Sequence, residues 1–383
     1  MNRAKLIRIT TVPISLEKLL EGQLTFMDEH FEVIAISSQK ERLEKFGQEN
    51  KIRTHYIELT RKITILKDLK ALWNMYIFLK AEKPLIVHSH TPKAGTIGMI
   101  AAKLARVPHR LHTVAGLPLL EETGVKRKLL NIVEKITYWA ATKIYPNSKG
   151  LKQIILNEKF CSKEKLKVIA NGSSNGIDSS LFDPQLFTSE EKQKLRHELK
   201  IQENDFVFIF IGRLVSDKGV NELIEAFSQI QLTYSNSKLL LIGELENELD
   251  PLKAISLEKI NNSNTILFLH YQKDVRPFLS ISNCLVFPSY REGFPNVVMQ
   301  AGAMGLPSIV SDINGCNEII SPNMNGLIIP TKNVKELIKS MKILISYKNK
   351  TELMASNSRS NIINNYEQKR VWKELLIEYK NLK

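Results

Sequence analysis

The chain has 383 residues, of which 43% are hydrophobic and 25% charged, so it can fill two ordinary cores and is not a disordered chain. Its three cysteines are few and irregularly spaced, which argues against a disulfide framework or a zinc site and fits a reducing cytoplasm. The amino terminus runs directly into a strand-like segment and the apolar stretches are short, so we expect neither an export signal nor a transmembrane helix.

The formal net charge of +14 is concentrated in the first part of the chain. Residues 1–170 carry 30 Lys and Arg against 16 Asp and Glu, a difference of +14, whereas residues 171–383 carry 24 of each. A basic half favours a polyanionic partner, either nucleic acid or an anionic membrane surface. The alternative explanation of this charge is a bacterial proteome that is rich in lysine throughout.

Short apolar runs alternate with helical patterns along the first half, which predicts a parallel α/β sheet. The predicted strands are LIRIT, FEVIAIS, LIVHSH, HRLHTV, KIYPNS and KVIANG. A second series begins at residue 206 with FVFIFIG, KLLLIG, TILFLH, CLVFPS, PSIVSD and GLIIP. The sequence therefore predicts two doubly wound units, and the strand pattern lapses between them at residues 182–193.

The pattern after residue 332 is wholly helical. In the last segment five apolar side chains recur at helical spacing, namely Val371, Trp372, Leu375, Leu376 and Tyr379. This stripe must be buried against another element.

Two cations follow the strand FVFIFIG, in the turn that leads to the helical segment VNELIEAF. Gly212 allows a phosphate to approach the backbone, Arg213 offers a fork of donors, and Lys218 adds a mobile charge. A phosphate site is one interpretation. The alternative is a pair of solvated side chains in an ordinary turn.

The segment Cys284–Pro307 predicts a buried strand, a glycine turn and a helix that Pro295 and Asn296 open and that runs through Ala303. Glu292 falls at the carboxyl end of the strand. That edge, beside a helix amino terminus, is where open α/β sheets bind nucleotides and their phosphates.

Several segments of the chain occur in the same order as in a known family. In the second half these are GRLVSDKG, DPL, DVRPFL, PSYREGFPNVVMQAGAMGLP, DINGCNEII and NGLIIP, which cover most of residues 200–335, and in the first half they are HSHTPKAG, HTVAGLP, YPNSKG and NGSSNGID. The segments of the second half resemble the nucleotide-sugar domain of the retaining glycosyltransferases of family 4. Those of the first half are similar to members that extend lipid-linked oligosaccharides.

The resemblance implies the GT-B fold, with two Rossmann-like domains facing across a cleft. Residues 1–185 would form the acceptor domain and residues 186–362 the nucleotide-sugar domain. Residues 363–383 would form a final helix that crosses back to the first domain.

The resemblance also implies a role for the donor residues. Arg213 and Lys218 would neutralise the donor pyrophosphate, next to Gly212, and Glu292 would be the first acid of the E-x7-E motif, beside the donor sugar. The donor would also touch the turn and the helix after it, at Gly293, Phe294, Pro295, Asn296 and Val297. The second acid of the motif is replaced by Gln300, whose amide can both accept from and donate to ribose hydroxyls.

No D-x-D triplet occurs in the sequence, and its Asp, His and Cys residues lack metal-ligand spacing. We therefore expect no metal and no other cofactor. The charge on the leaving nucleoside diphosphate would then be stabilised by Arg213, Lys218 and a helix amino terminus.

The first domain would bind the acceptor. His112 matches the family histidine near the transferred sugar, where it would align the sugar or stabilise charge; the alternative is a core histidine. Lys93 would meet an acceptor phosphate, with His90 and Thr91 beside it, unless it is a solvated loop lysine. Ser15, in the turn after the first strand, would contact the cleft.

The segment 124–146 joins a basic cluster, Lys126, Arg127 and Lys128, to an apolar face that includes Trp139, and it resembles an interfacial membrane helix. The alternative is a helix packed on its own sheet with its basic residues in water.

The sequence thus predicts a metal-independent, retaining hexosyltransferase that uses a nucleoside diphosphate sugar, with UDP the expected nucleotide. The acceptor would be a sugar on a polyprenyl diphosphate, in surface polysaccharide assembly at the inner face of the plasma membrane. One alternative is a UDP-sugar 2-epimerase of the same fold. The other is a basic nucleic-acid-binding protein, for which no recognition motif is present.

Overall fold

A computed structural model describes residues 3–60, 64–246 and 250–382 of the chain. The contacts divide the chain into unit 1, residues 1–175 with 369–383, and unit 2, residues 176–368. The expected boundary at residue 185 therefore falls inside unit 2.

Unit 1 contains a parallel sheet of six strands in the order β3-β2-β1-β4-β5-β6. The strands are β1 (Lys5–Ile9), β2 (Glu32–Ser37), β3 (Arg53–Tyr56), β4 (Ile86–Ser89), β5 (His109–Val114) and β6 (Lys143–Pro146). The helices are α1 (Pro13–Leu19), α2 (Gln23–Asp28), α3 (Lys40–Asn50), α4 (Ile65–Glu82), α5 (Pro92–Leu104), α6 (Gly124–Ala140) and α7 (Lys149–Asn157), together with the final helix α16 (Gln368–Lys380).

Unit 2 repeats this architecture, with the strand order β12-β11-β10-β7-β8-β9. Its strands are β7 (Phe206–Ile211), β8 (Ser237–Ile242), β9 (Ile266–Phe268), β10 (Cys284–Phe287), β11 (Ser308–Ser311) and β12 (Gly326–Ile329). Its helices are α8 (Ser189–Glu198), α9 (Val220–Gln231), α10 (Ala254–Asn262), α11 (Arg276–Ser280), α12 (Asn296–Ala303), α13 (Cys316–Ile319), α14 (Val334–Ser346) and α15 (Lys348–Tyr366). The predicted pair of doubly wound units is confirmed.

Two strand assignments in unit 1 differ from the expectation. KVIANG is not a strand: only Leu166, just before it, makes an isolated bridge to Ile144, and Ala170 and Gly172 have positive φ angles that break an extended chain. The edge strand β3 was not predicted. Its residues are half-buried or exposed, so it lacks the apolar run that marks an inner strand.

Both sheets reverse their strand order at one place, between β1 and β4 in unit 1 and between β7 and β10 in unit 2. Because parallel crossovers are right-handed, the chain leaves the two central strands towards opposite faces of the sheet. The crevice this opens at the carboxyl ends is the usual ligand position in such sheets. The segments after β7 and β10 carry the predicted donor residues.

A buried polar network fixes α16 to the sheet of unit 1. The guanidinium of Arg8, which is fully buried in β1, donates to Tyr379 Oη at 3.1 Å and to Gln23 Oε1 at 2.5 Å. Gln23 Nε2 donates in turn to Asn175 Oδ1 at 3.0 Å, and Trp372 Nε1 donates to the same oxygen at 2.6 Å. The apolar stripe of the last helix is thus buried within unit 1, as its spacing requires.

Three histidines near the carboxyl edge of this sheet are buried: His88, His90 and His112. Burial lowers the pKa of His112 to about 4, against the effect of its hydrogen bond to Ser89. Burial, followed by the charge of Arg8, holds the pKa of His88 well below its usual range, and burial with neighbouring His88 and Arg8 does the same for His90. All three are neutral at physiological pH.

Because the three buried histidines are neutral in the folded protein, we expect the free energy of unfolding to fall in acid. In the unfolded chain each takes up a proton near pH 6.5, whereas folded His112 takes one up only near pH 4. The stability due to His112 is therefore complete above about pH 6.5 and falls by up to about 3 kcal/mol as the pH approaches 4.

Urea unfolding between about pH 7 and about pH 5 measures this effect. We expect His112→Asn to flatten the fall in unfolding free energy, and the same replacement at exposed His197 serves as the control for the chemical change. An unchanged slope in His112→Asn would show that folding does not lower the pKa of this histidine.

Candidate active site

The carboxyl end of β7 places the first predicted cation of unit 2. β7 is a continuous apolar run whose inner residues are fully buried, and Gly212 and Arg213 follow it directly. The Arg213 guanidinium makes an ion pair with Glu246, which follows β8, the neighbouring strand. The Arg213 side chain remains about half exposed, so an anionic ligand can reach it.

A tight turn presents the second cation. Residues Ser216–Lys218 form one turn of 3-10 helix that ends at Gly219, whose φ is +69°. A Cβ atom at Gly219 would lie 2.2 Å from the carbonyl oxygen of Pro288, so only glycine allows this approach of α9 to the end of β10. The backbone N–H of Tyr290 donates to the Asp217 carbonyl at 2.8 Å and joins the two segments.

Lys218 and Glu292 are brought together by that approach. Lys218 Nζ donates to Glu292 Oε1 at 2.5 Å, and both side chains are less than a fifth exposed. Ser289 Oγ donates to the same carboxylate oxygen at 3.1 Å. An ammonium that is already desolvated and held in place needs little reorganisation to meet the charge of a phosphate.

The turn that carries Glu292 is held from behind. Asn314 donates its side-chain N–H to the carbonyl oxygens of Glu292 and Gly293. Gly315, with φ of +78°, allows this packing, because a Cβ there would lie 2.5 Å from the Gly293 carbonyl oxygen. Both residues belong to the segment DINGCNE, one of those that resemble the family, and their role in it is to support the turn that carries Glu292.

Helix α12 opens beside this turn. Pro295 occupies its N-cap position and offers no side-chain cap, so the first N–H groups of the helix are available to an anion. Phe294 is buried against Tyr366, whereas Asn296 and Val297 are half-buried in the first turn. Gln300 lies one turn later, and within the described residues its side-chain amide makes no hydrogen bond.

The switch point of unit 1 places the predicted acceptor residues after β1 and β4. Thr91 Oγ1 accepts from the Thr11 backbone N–H at 2.9 Å and bonds to the Thr11 hydroxyl at 2.7 Å. Ser15 is half-buried in α1, the helix that follows. These contacts use the Thr91 hydroxyl to join the two strand ends.

Lys93 does not extend into solvent. Its ammonium lies 2.5 Å from Asp68 Oδ2, and the two side chains are 13% and 23% exposed. Asp68 also accepts from the Thr64 backbone N–H at 3.1 Å. An acceptor phosphate at Lys93 would have to share it with this carboxylate.

The two predicted acceptor-site histidines lie inside the layers of unit 1. His112 Nδ1 bonds to Ser89 Oγ at 2.9 Å, and its ring fills the space that a Cβ at Gly95 of α5 would need. His90 Nε2 accepts from Arg8 Nε at 3.1 Å, so the proton of the neutral ring is on Nδ1. That nitrogen is buried and has no partner among the described residues.

The predicted membrane helix is α6, and its apolar face points to solvent. Leu129, Ile132, Ile136 and Trp139 are between 41% and 62% exposed, which argues against the alternative of a helix that packs this face on its own sheet. Within the described ranges no helix is long and apolar enough to cross a membrane.

The basic cluster on α6 is not uniform. Lys126 is exposed and pairs with Glu122 at 2.6 Å, and Lys128 is exposed. Arg127 instead turns inward, where it donates to the Leu119 carbonyl and pairs with Glu158 at 2.7 Å. Arg127 therefore fastens the helix to its neighbours.

No group of three or more His, Cys, Asp or Glu side chains in the described part of the chain is arranged to hold a metal ion. The buried thiol of Cys316 lies near Glu292, and burial followed by that carboxylate raises its pKa well above the usual range. Cys316 is thus a protonated packing residue.

Several residues that build the site escaped sequence reasoning. Asn314 lies in the segment DINGCNEII, from which a role for it could have been predicted. Glu246, Asp68 and Arg8 carry no local signal, because each acts on a partner from another segment that only the fold brings near.

Comparisons with known proteins identify two family domains in the chain. The family described as Glycosyl transferases group 1 matches residues 191–361, and a Glycosyl transferase 4-like domain matches residues 27–172. The capsular polysaccharide biosynthesis glycosyltransferase CapM of Staphylococcus aureus is 34% identical over 98% of this chain and 96% of that protein. An Escherichia coli UDP-Gal:alpha-D-GlcNAc-diphosphoundecaprenol alpha-1,3-galactosyltransferase is 31% identical over 88% of this chain and 86% of its own.

Among solved structures, Anabaena Alr3699/HepE in complex with UDP superposes with a TM-score of 0.82 at 19% identity, covering 99% of this chain and 100% of that one. This likeness shows the fold. The similarity to CapM over nearly the full length and the two matched domains show the family. The chain therefore belongs to the family 4 glycosyltransferases of GT-B fold.

Proposed function

We propose that this protein transfers a hexose or N-acetylhexosamine from a nucleoside diphosphate sugar, with UDP as the nucleotide, to a sugar on a polyprenyl diphosphate, and that the anomeric configuration is retained. The observation that carries this proposal is the desolvated Lys218–Glu292 pair at the switch point of unit 2, with Arg213 directly after β7, the strand that also precedes Lys218. A galactosyltransferase whose name gives a diphosphoundecaprenol-linked sugar as its acceptor is a relative over 88% of this chain, which supports the choice of acceptor.

The residues of unit 2 account for activation of the donor. The bond between the anomeric carbon and the diphosphate oxygen breaks, and negative charge develops on the leaving group. Arg213, Lys218 and the open N–H groups of α12 stabilise that charge without moving far. Glu292 orients Lys218 and lies beside the donor sugar.

Retention follows if the acceptor hydroxyl attacks from the face that the diphosphate leaves. The new bond joins the acceptor oxygen to the anomeric carbon, and the acceptor proton passes to an oxygen of the leaving phosphate. His112 cannot supply positive charge to this step, because burial lowers its pKa to about 4. The proposed part of His112, and of buried His90, is to support the acceptor side of the site as neutral groups from within unit 1, with Thr91, Lys93 and Ser15 nearer the acceptor.

The enzyme would act at the inner face of the plasma membrane, where polyprenyl-linked acceptors are embedded. The excess positive charge of residues 1–170 then serves an anionic membrane surface and not nucleic acid. Duplex DNA that competes with a sugar nucleotide would contradict this part of the proposal.

The transfer reaction is tested with a panel of radiolabelled sugar nucleotides and a lipid extract. We expect label in the extractable lipid, and loss of at least about a hundredfold in rate for Arg213→Ala and for Lys218→Ala, since each removes a donor to the developing charge. Lys335→Ala, an exposed lysine of α14, is the matched control.

Three outcomes would contradict the proposal. Hydrolysis with every donor argues against transfer, and an epimerised nucleotide sugar without labelled lipid indicates a 2-epimerase. Full activity in both variants removes the pyrophosphate assignment.

Because Gln300 replaces the second acid of the motif, we expect the ribose of the donor to be bound weakly. A carboxylate accepts from two hydroxyls more strongly than an amide does, so Gln300→Glu should lower the donor KM about fivefold with kcat unchanged. Gln300→Ala is the control for loss of the side chain. A donor KM that is the same in all three proteins would show that Gln300 does not contact the ribose.

We also propose that no metal ion takes part, because Arg213, Lys218 and α12 supply the positive charge for the leaving group. Transfer should continue at an unchanged rate after dialysis against EDTA. Loss of activity that Mg²⁺ restores would overturn this proposal.

A further inference from the structure

Helix α4 carries an exposed apolar stripe that no sequence motif marks. Five large side chains on its outer side are between 49% and 83% exposed, namely Ile65, Leu66, Leu69, Trp73 and Ile77. The opposite side of the helix packs into the core through Ala71, Met75 and Leu79. The fold of unit 1 therefore does not cover the outer stripe.

The second stripe lies on α6, at helical spacing: Val125, Leu129, Ile132, Ile136 and Trp139, between 41% and 84% exposed. Helix α5 packs between α4 and α6, so all three lie on the same face of the sheet. The 24 exposed large hydrophobic side chains of the described residues include eleven on these three helices. Such a concentration in residues 65–140 indicates an interaction surface.

The charges around the two stripes indicate the partner. The three helices carry six exposed lysines, at positions 67, 70, 80, 126, 128 and 135, of which Lys67 and Lys126 pair with Glu58 and Glu122. Their three acids are Asp68 and Glu82, which are ion-paired, and half-buried Glu134. This surface is complementary to anionic lipid and would repel a second copy of the same basic face.

Tryptophan is concentrated there too. The chain has three tryptophans, and Trp73 and Trp139 are each 62% exposed on this surface, whereas Trp372 is buried. Lys103 of α5 lies over the Trp139 ring, with its nitrogen 4.1 Å from the ring centroid. Exposed tryptophan beside lysine is the pattern of a helix lying in the membrane interface.

We propose that α4 and α6 together form a two-ridge docking surface for an anionic lipid bilayer, with α4 entering the interface beside α6. The proposal rests on the proposed function and specifies how the enzyme reaches a lipid-linked acceptor. The Asp68–Lys93 ion pair joins the first turns of α4 and α5, and Leu66 and Leu69 flank Asp68. The lipid-facing stripe thus begins at the sheet edge where the acceptor residues lie.

The tryptophans provide a direct test. Full-length protein is mixed with phosphatidylcholine vesicles, with or without phosphatidylglycerol, whose brominated acyl chains quench nearby indoles. Trp139→Phe leaves Trp73 as the exposed fluorophore, Trp73→Phe leaves Trp139, and the double variant leaves buried Trp372. We expect quenching in both single variants with phosphatidylglycerol and none in the double variant.

Quenching of Trp139 without quenching of Trp73 would overturn the proposal, and so would quenching of neither. Equal quenching by neutral and anionic vesicles would contradict the proposed attraction between the lysines and anionic lipid. Self-association that shields Trp73 in the absence of vesicles, measured by sedimentation velocity, would assign the surface to a contact between copies and also overturn it.

A charge placed in the new stripe gives an independent measurement. Leu69→Glu should weaken binding to anionic vesicles about tenfold, because it adds both a desolvation cost and repulsion. Leu353→Glu makes the same change at a position of equal exposure on α15 of unit 2, and its binding should match the unmodified protein. Unchanged binding in Leu69→Glu would contradict the inference. Neither readout uses a sugar nucleotide, so failure here is distinct from failure of the transfer reaction.

Discussion

The ion pair between Lys218 and Glu292 is the contact on which the site depends. It exists because β7 and β10 are neighbours in the sheet although 72 residues separate their last and first residues. Gly219 lets α9 begin against the end of β10, and Asn314 with Gly315 supports the turn from the other side. A phosphate ligand therefore meets a cation that the sheet topology has already positioned, and Arg213 follows the same strand, β7.

Part of the basic excess in the first half of the chain has a structural use. Arg110 donates to the carbonyl oxygens of Ala140 and Val107, and Lys165 donates to those of Tyr138 and Ala141. These carbonyls lie at or just beyond the ends of α5 and α6, where cations are favoured. The positive charge thus divides between cations that cap helices and the lysines that surround the exposed stripes.

The sequence predicts the architecture well because inner parallel strands are buried on both faces and appear as apolar runs. All six strands of unit 2 were predicted from such runs, including the edge strands β9 and β12, and α12 has the predicted bounds. Edge strand β3 lacks such a run, and KVIANG has one without forming a strand, since positive φ angles interrupt it. The donor residues were predicted from motifs that stay local. The ion partners Glu246 and Asp68 could not be predicted, because each belongs to another segment of the chain that comes near its partner only after folding.

The hydrogen bonds of Arg8 have a consequence for synthesis. Its guanidinium bonds to Tyr379, 371 positions further along the chain, and Trp372 closes the same network through Asn175. Unit 2 is complete at residue 368, whereas unit 1 needs residues 369–383, which the ribosome adds after all of unit 2. Residues 1–175 are therefore synthesised before unit 2 but can complete their fold only after it, and until then β1 holds an arginine without the tyrosine that completes its hydrogen bonds.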